Sequence, residues 1–353
     1  MTTLEHTPVF GICGYSGAGK TTLIVEIVRR LRSRGLATLV IKHDAHGLTL
    51  DRRGKDSQRF FDAGADVIAR DPEQSFVRLR RDDREDLAEL LVRCQRDYDV
   101  ILVEGHKTTP LPRKLWLRRH ERDRAPRSCG PVALDLRRDQ DRIGATWAWI
   151  EQGLEDLHHA VPTMMGILIG GGSRRMGQSK HLLAFRGRTW LAHIVAAARQ
   201  VSDSVVLLGG GRVPRSCSSF VRLPDTPGRE GPVAGMCAAL RWCPDARWIF
   251  LACDSPLVTS EALRWLKDQA RPGIWAVQAR PSASKAPDPF PGWYDYRAAA
   301  TLESAPGPSW LARHPRTATP VLPVQFQTAW RSCNTPAQAA RCLPFSSRGM
   351  SRP

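Results

Sequence analysis

The sequence predicts an α/β protein made of two doubly wound domains. Three observations carry that expectation. An apolar strand runs into the glycine loop Gly14-x-x-x-x-Gly19-Lys20-Thr21, a second apolar strand runs into a different loop at Gly170-Gly171, and strands alternate with helical periods behind each. The first domain reads as a P-loop NTPase-like sheet and the second as a Rossmann-like sheet. At 353 residues the chain has room for two domains of ordinary size.

In the first half, Val9–Cys13 reads as a short buried strand, and Leu23-Ile24, Ile27-Val28 and Leu31 mark one face of the helix after the loop. Strand, GxxxxGK[ST] and helix form the context of a P-loop. Backbone N–H groups there wrap phosphates, Lys20 reaches the β/γ oxygens and the Thr21 hydroxyl holds Mg²⁺. Two more strands end in polar clusters. Thr38–Ile41 leads to Lys42-His43-Asp44-Ala45-His46, and Asp99–Val103 leads to Glu104-Gly105-His106-Lys107. Such residues gather at the carboxyl edge of a parallel sheet. Glu104 follows four aliphatic residues and takes the place of a Walker-B acid organising the Mg²⁺ shell. The spacing of His43, His46 and His106 is not that of a metal set, so they read as polar lining.

The stretches GYSGAGKTTLI, VIKHDAH, GKDSQRFFDAGA and VILVEGHKTTPLPRKLWLRR, in that order, resemble the molybdopterin-guanine dinucleotide biosynthesis adaptor (MobB) family over roughly residues 8–160. That resemblance implies a domain over 1–160 that binds GTP through Gly17, Gly19, Lys20, Thr21 and Thr22, with Glu104 near its magnesium. It also implies weak GTPase activity, pairing as a homodimer and assistance to a guanylyltransferase.

A helix over Trp147–His159 ends at Val161-Pro162-Thr163, which sets the domain boundary near residue 162. The strand Met164–Ile169 then opens the second domain, 163–345. A helix over about Thr189–Val201 and a strand at Val205–Leu208 follow. Val221–Leu223 leads to Asp225, a helix begins after Gly231, and Trp248–Ala252 leads to Asp254. The Pro-rich tracts 281–291 and 304–323 read as long loops.

The loop Gly170-Gly171-x-Ser173-x-Arg175-Met176-Gly177-x-x-Lys180 lacks GK[ST], so it is not a second P-loop. It can still bend around a triphosphate. Glycine amides approach closely because no Cβ intervenes, Arg175 neutralises β/γ charge, and Lys180 meets the α-phosphate where charge moves during attack. Asp254, at a strand end, suits Mg²⁺ bridged to phosphates, with a helix cap as the plain alternative. Asp225 reads equally as a nucleotide contact or a turn residue.

LIGGGSRRMGQSK, RLPD, EGPVAGM, FLACDSP and CNTP resemble molybdenum cofactor guanylyltransferase (MobA) over roughly residues 164–345. The resemblance implies transfer of GMP from GTP to molybdenum-molybdopterin with release of pyrophosphate, Mg²⁺ as cofactor and GTP as substrate. Leu168, Gly170, Gly171 and Lys180 would contact GTP, Asp225 would place the guanosine, Asp254 would bind Mg²⁺, and Asn334 would lie on the cofactor side. Molybdenum-insertion proteins and target molybdoenzymes are the further partners it implies. The chain departs from the family pattern at Ile169, Ser179, Gly209-Gly210-Gly211 and Ser332, and Asp288 stands where a His-Pro pair is expected. Fewer side-chain donors around the base bear on guanine selectivity more than on catalysis. A cytidylyl- or sugar-nucleotide transferase, and a non-catalytic GTP-dependent cofactor carrier, are the alternatives.

Composition agrees with a globular chain: 42% hydrophobic and 25% charged residues. No apolar run approaches the ~18 residues of a membrane span. Nine cysteines without a CxxC pair point to reduced thiols and a cytoplasmic protein. The net charge of +17 arises mainly from arginine, since only eight of the 52 basic residues are lysine, and two of those eight end the glycine loops. Aromatic residues are not interleaved with a basic stripe, so small polyanions rather than nucleic acid are the expected partners.

Overall fold

The computed structural model describes residues 4–42, 56–78, 86–170, 179–202 and 204–342, which fall into two compact units, Met1–Leu157 and His158–Pro353.

The first unit begins with β1 (Val9–Gly14), buried along its whole length, followed by α1 (Lys20–Ser33), β2 (Thr38–Lys42) and α2 (Asp56–Asp62). The hairpin β3 (Val67–Arg70) and β4 (Ser75–Arg78) precedes α3 (Leu87–Cys94), capped by the Asp86 carboxylate, which accepts from Glu89 N. Then come β5 (Val100–Glu104), β6 (Lys114–Leu117), β7 (Leu134–Leu136) and α4 (Arg142–Ala160). Five strands form one parallel sheet in the order β2-β5-β1-β6-β7. Alternate residues feed opposite faces. Phe10, Ile12, Val100 and Leu102 pack with Leu23, Ile27, Leu31 and Ile150 of α1 and α4, whereas Val9, Ile101 and Val103 pack with Leu91 of α3. Both faces are covered, which is why β1 and β5 are continuously apolar up to their ends.

The second unit takes in the end of α4 and continues with β8 (Thr163–Leu168), β9 (Ala184–Phe185), β10 (Arg188–Thr189), α5 (Trp190–Arg199), β11 (Val205–Leu208) and β12 (Val221–Leu223). After them come α6 (Pro232–Trp242), β13 (Arg247–Ala252), α7 (Ser260–Asp268), β14 (Ala276–Gln278), β15 (Gly292–Tyr294), α8 (Ala299–Ser304), β16 (Thr317–Ala318) and α9 (Pro336–Cys342). The sheet order is β12-β11-β8-β13-β15-β14-β16. Strands β12, β11, β8 and β13 are parallel, and β15 runs against both neighbours. Met165, Ile167, Leu207 and Ile249 pack under α5 and α7, while Met164, Leu168, Leu208 and Phe250 pack under α6 and α8. The doubly wound α/β expectation therefore holds for each unit, with one antiparallel strand inserted in the second sheet.

The tract 304–323 differs from the expected loop. It holds a 3₁₀ helix at Pro308–Arg313 and the short strand β16, which pairs with β14. Proline permits both, because the 3₁₀ segment starts on Pro308 and a two-residue edge strand needs few donors. No described helix is long and apolar enough to cross a membrane.

Candidate functional site

In the first unit the glycines dictate the loop. Gly14 has φ +152°, and a Cβ there would lie 2.6 Å from Leu117 O, so the chain can turn off β1 only without a side chain. Gly17 and Gly19 also have positive φ, and Gly19 is the N-cap of α1 with no side-chain cap. The first N–H groups of a 14-residue helix are thus left facing the loop, an arrangement that attracts anions. Thr21 and Thr22 sit exposed in the first turn. Lys20 Nζ donates to Tyr15 O at 2.9 Å, folding across the loop. Burial lowers the Lys20 ammonium, opposed by Glu104 and assisted by Lys107. Glu104 ends β5 opposite Ile12 of β1, almost fully buried, and its Oε1 accepts from Thr21 Oγ1 at 3.0 Å. The hydroxyl and carboxylate expected on either side of a magnesium ion are therefore in contact.

Sequence reasoning missed two arginines. Arg142 Nη1 donates to Ala18 O at 2.9 Å and its Nη2 donates to Arg118 O, clamping the loop to the end of β6. The guanidinium of Arg119 would lie 3.6 Å from a Cβ on Gly17. Arginine runs such as 118–119 are common in this chain, so nothing in the sequence singled them out. His106 Nδ1 lies 3.1 Å from Thr109 Oγ1, within its own turn. His43 and His46 lie outside the described residues.

In the second unit the carboxyl ends of β11, β8 and β13 gather the site. Leu168 ends β8 opposite Ala252 of β13, and Cys253 N donates to Leu168 O. Lys180 Nζ donates to Asn334 Oδ1 at 2.5 Å and lies 3.5 Å from Asp254 Oδ2, with both charged side chains less than one-fifth exposed. Cys333 N donates to Asp254 O at 2.7 Å, which ties the segment bearing Asn334 to the end of β13. Three residues from separate stretches thus form one polar group. A second group surrounds Asp225. A Cβ on Gly170 would lie 3.7 Å from Asp225 Oδ2, and one on Gly235 would lie 3.5 Å from Asp225 Oδ1 and 2.9 Å from Leu168 Cδ2. Gly209 has φ +101°, and a Cβ there would meet Gly170 N at 3.0 Å. The glycine run after β11 thus serves close approach of two strand exits. Gly171 and Arg175 lie outside the described residues.

Two groups near Asp254 carry shifted acidities. Burial pushes the Cys253 thiol up to about 11, with Asp254 adding and Lys180 opposing. Burial also raises the Asp288 carboxyl, and Asp254 raises it further against the hydrogen bond from Phe290 N. Asp288 was visible in the sequence only as a departure from the family pattern.

The donor chemistry fits a hard cation. Thr21 and Glu104 in one unit, and Asp254 in the other, offer oxygen donors, and the Lys180 ammonium already stands beside Asp254 as a cation. Among the described residues no three His, Cys, Asp or Glu side chains form a metal cage, so nucleotide oxygens would have to complete either shell.

Each unit is thus an α/β fold with a glycine loop at the edge where that architecture holds phosphates. Residues 9–133 match the model of molybdopterin guanine dinucleotide synthesis protein B, and residues 165–318 match the MobA-like NTP transferase domain. The chain belongs to the synthesis protein B family through its first unit and to the MobA-like NTP transferase family through its second. It is 39% identical to a molybdopterin-guanine dinucleotide biosynthesis adapter protein of Haemophilus influenzae, over 33% of this chain and 66% of that protein. It is 31% identical to a probable adapter protein of Bacillus subtilis, over 40% of this chain and 82% of the relative. It is 32% identical to a molybdenum cofactor guanylyltransferase of Pseudomonas syringae pv. tomato, over 47% of this chain and 83% of the relative.

Proposed function

We propose that residues 163–345 transfer GMP from GTP to molybdenum-molybdopterin, releasing pyrophosphate, and that residues 1–160 form a GTP-binding adaptor with weak GTPase activity. The observation that carries this reading is the convergence of Lys180, Asp254 and Asn334 at the carboxyl edge of β8 and β13. The terminal phosphate of the cofactor attacks the α-phosphorus of GTP. The new P–O bond forms as the bond to the β-phosphate oxygen breaks, and the electron pair leaves with pyrophosphate. No protein nucleophile is required, so the chain contributes position and charge. Leu168, Gly170 and Gly171 present the loop to the nucleotide, and Asp225 orients the guanosine. Arg175 neutralises the β/γ-phosphates, and Lys180 neutralises the α-phosphate as its charge grows. Asn334 faces the cofactor side and holds the Lys180 ammonium in place. Asp254 would hold Mg²⁺ in this unit, as Thr21 and Glu104 would in the other. When bound, Mg²⁺ neutralises phosphate charge and steadies the leaving group.

In the first unit, Gly17, Gly19, Lys20, Thr21 and Thr22 hold a second GTP. Tethering raises the effective concentration of one unit beside the other. We place the reaction in the cytoplasm, which suits the free cysteines. Homodimerisation and contacts with molybdenum-insertion proteins and molybdoenzymes follow from the family reading.

The test is pyrophosphate release by the full chain with molybdenum-loaded cofactor and Mg²⁺, supplied with GTP, CTP, UTP or ATP in turn. Release with GTP alone is the expected result. Preference for CTP would make the unit a cytidylyltransferase, and cofactor binding without release would make it a carrier.

A further inference from the structure

Arg118, Arg119 and Arg142 gather beside the phosphate loop of the first unit, and their hydrogen bonds tell them apart. Arg142 gives its guanidinium to backbone oxygens. Its Nε donates to Arg137 O and its Nη1 to Ala18 O, each at 2.9 Å, and its Nη2 donates to Arg118 O. Arg118 is turned to Asp135, with Nε donating to Oδ1 at 2.7 Å and Nη2 to Oδ2, while Nη1 donates to Glu121 O at 2.9 Å. Among the described residues no carboxylate or carbonyl takes up the guanidinium of Arg119. That group is nevertheless laid on the loop. A Cβ built on Gly17 would lie 3.6 Å from Arg119 Nη1 and 3.7 Å from both Cζ and Nε, so the planar head rests face-on over Gly17.

We infer that Arg119 binds the phosphate chain of the nucleotide held by the first loop, supplying a further cation beside Lys20 from the end of β6. This rests on the GTP-binding reading of the first unit given above.

The fold places the residue there. Strand β6 lies beside β1 in parallel register, Gly14 opposite Leu117, so the loop leaves β1 at the edge where β6 ends. Arg119 follows two residues later. The backbone just before it is held on both sides, since Arg118 N donates to Leu136 O at 3.0 Å and Arg118 O accepts from Arg142. Two arginines thus build the mouth of the loop and the third is left facing it. A triphosphate brings several negative charges. The loop meets them with the Lys20 ammonium, but also with the opposing Glu104 carboxylate bonded to the adjacent Thr21. A guanidinium keeps its proton and offers a planar fork that matches phosphate oxygens, which suits a fixed positive charge at this place.

The plain alternative is a solvated arginine that leans on the loop, since Arg119 is exposed. The full chain is titrated with GTP and Mg²⁺ by isothermal calorimetry, and the binding that disappears in Lys20→Ala belongs to the first loop. Arg119→Ala is expected to weaken that binding about tenfold or more, because a charge-assisted contact to phosphate is lost, and to leave the remaining GTP binding unchanged. Arg119→Lys should recover only part of the loss, as a point charge replaces the fork. The melting temperature of nucleotide-free Arg119→Ala should match the parent, because no protein acceptor loses its donor. Unchanged first-loop affinity in Arg119→Ala, with that binding lost in Lys20→Ala, overturns the inference and leaves the GTP-binding reading standing. Lys20→Ala with undiminished GTP binding removes both.

Discussion

Lys180 lies between a carboxylate and an amide oxygen contributed by distant stretches of chain, and two consequences follow for single residues. If its ammonium tracks the α-phosphate, the contact strengthens as phosphorus becomes five-coordinate. Lys180→Ala should then lower kcat about a hundredfold, an effect on the order of 3 kcal/mol, with a smaller change in KM for GTP. Lys180→Arg should recover only part, because a planar fork replaces a compact charge. Steady-state kinetics on both variants decide, and a pure KM effect would reduce Lys180 to ground-state binding. Asp254 is partly exposed, and among the described residues its side chain accepts one weak hydrogen bond, from Ser255 Oγ at 3.4 Å. Asp254→Ala should therefore abolish pyrophosphate release while moving the melting temperature by no more than a few degrees. Near-normal Mg²⁺-dependent turnover would transfer the metal role to Asp225. Asp254 was read from its strand-end position and Lys180 from its place after the glycine loop. Their link to Asn334 was not, because 154 residues separate Asn334 from Lys180 and only the closed sheet joins them.

At the scale of elements, the exits of β8 and β11 touch. Gly209 and Gly210 are adjacent in sequence but not equivalent. A Cβ on Gly209 would press on Gly170 N and Cα at a φ that L residues avoid, whereas a Cβ on Gly210 meets nothing within 4 Å. Gly209→Ala should destabilise the second unit by about 1–3 kcal/mol and raise KM for GTP by displacing Gly170. Gly210→Ala should stay within about 0.5 kcal/mol of the parent. Urea unfolding of the two variants side by side checks this, and equal midpoints would show that the close approach is not needed. In the sequence the glycine run looked like a loss of polar contacts to the base. The structure assigns Gly209 a steric reason, which no local pattern could reveal.

At the scale of the whole molecule, the two units carry separate cores and separate loops, and one half-buried group makes the second pH-sensitive. Burial lowers the His158 imidazole to about 4, with Arg247 and His159 adding to the shift and Asp295 opposing it. Above about pH 6.5 the ring is neutral both folded and unfolded, so it does not alter stability there. Between about pH 6.5 and pH 4 the unfolded chain takes up a proton that the folded chain refuses, and stability falls across that window. After allowance for solvent screening the loss is on the order of 1–2 kcal/mol. Unfolding midpoints at pH 7 and pH 4.5 should differ less for His158→Gln than for the parent. Equal differences would assign the acid sensitivity to other groups.

The sequence alone determined the architecture and the two loops. Strand periodicity, helix faces and glycine spacing are local signals, and they act through backbone sterics that neighbouring residues set by themselves. Glu104, Asp225 and Asp254 could be placed at sheet edges because parallel strands in such folds end there. Tertiary structure decided which of those edges meet. It paired Thr21 with Glu104, brought Lys180 to Asn334 and laid Arg142 against the P-loop. Proximity of that kind depends on strand order and on strand direction. Both are consequences of packing the whole sheet, and neither is written in any short stretch of residues.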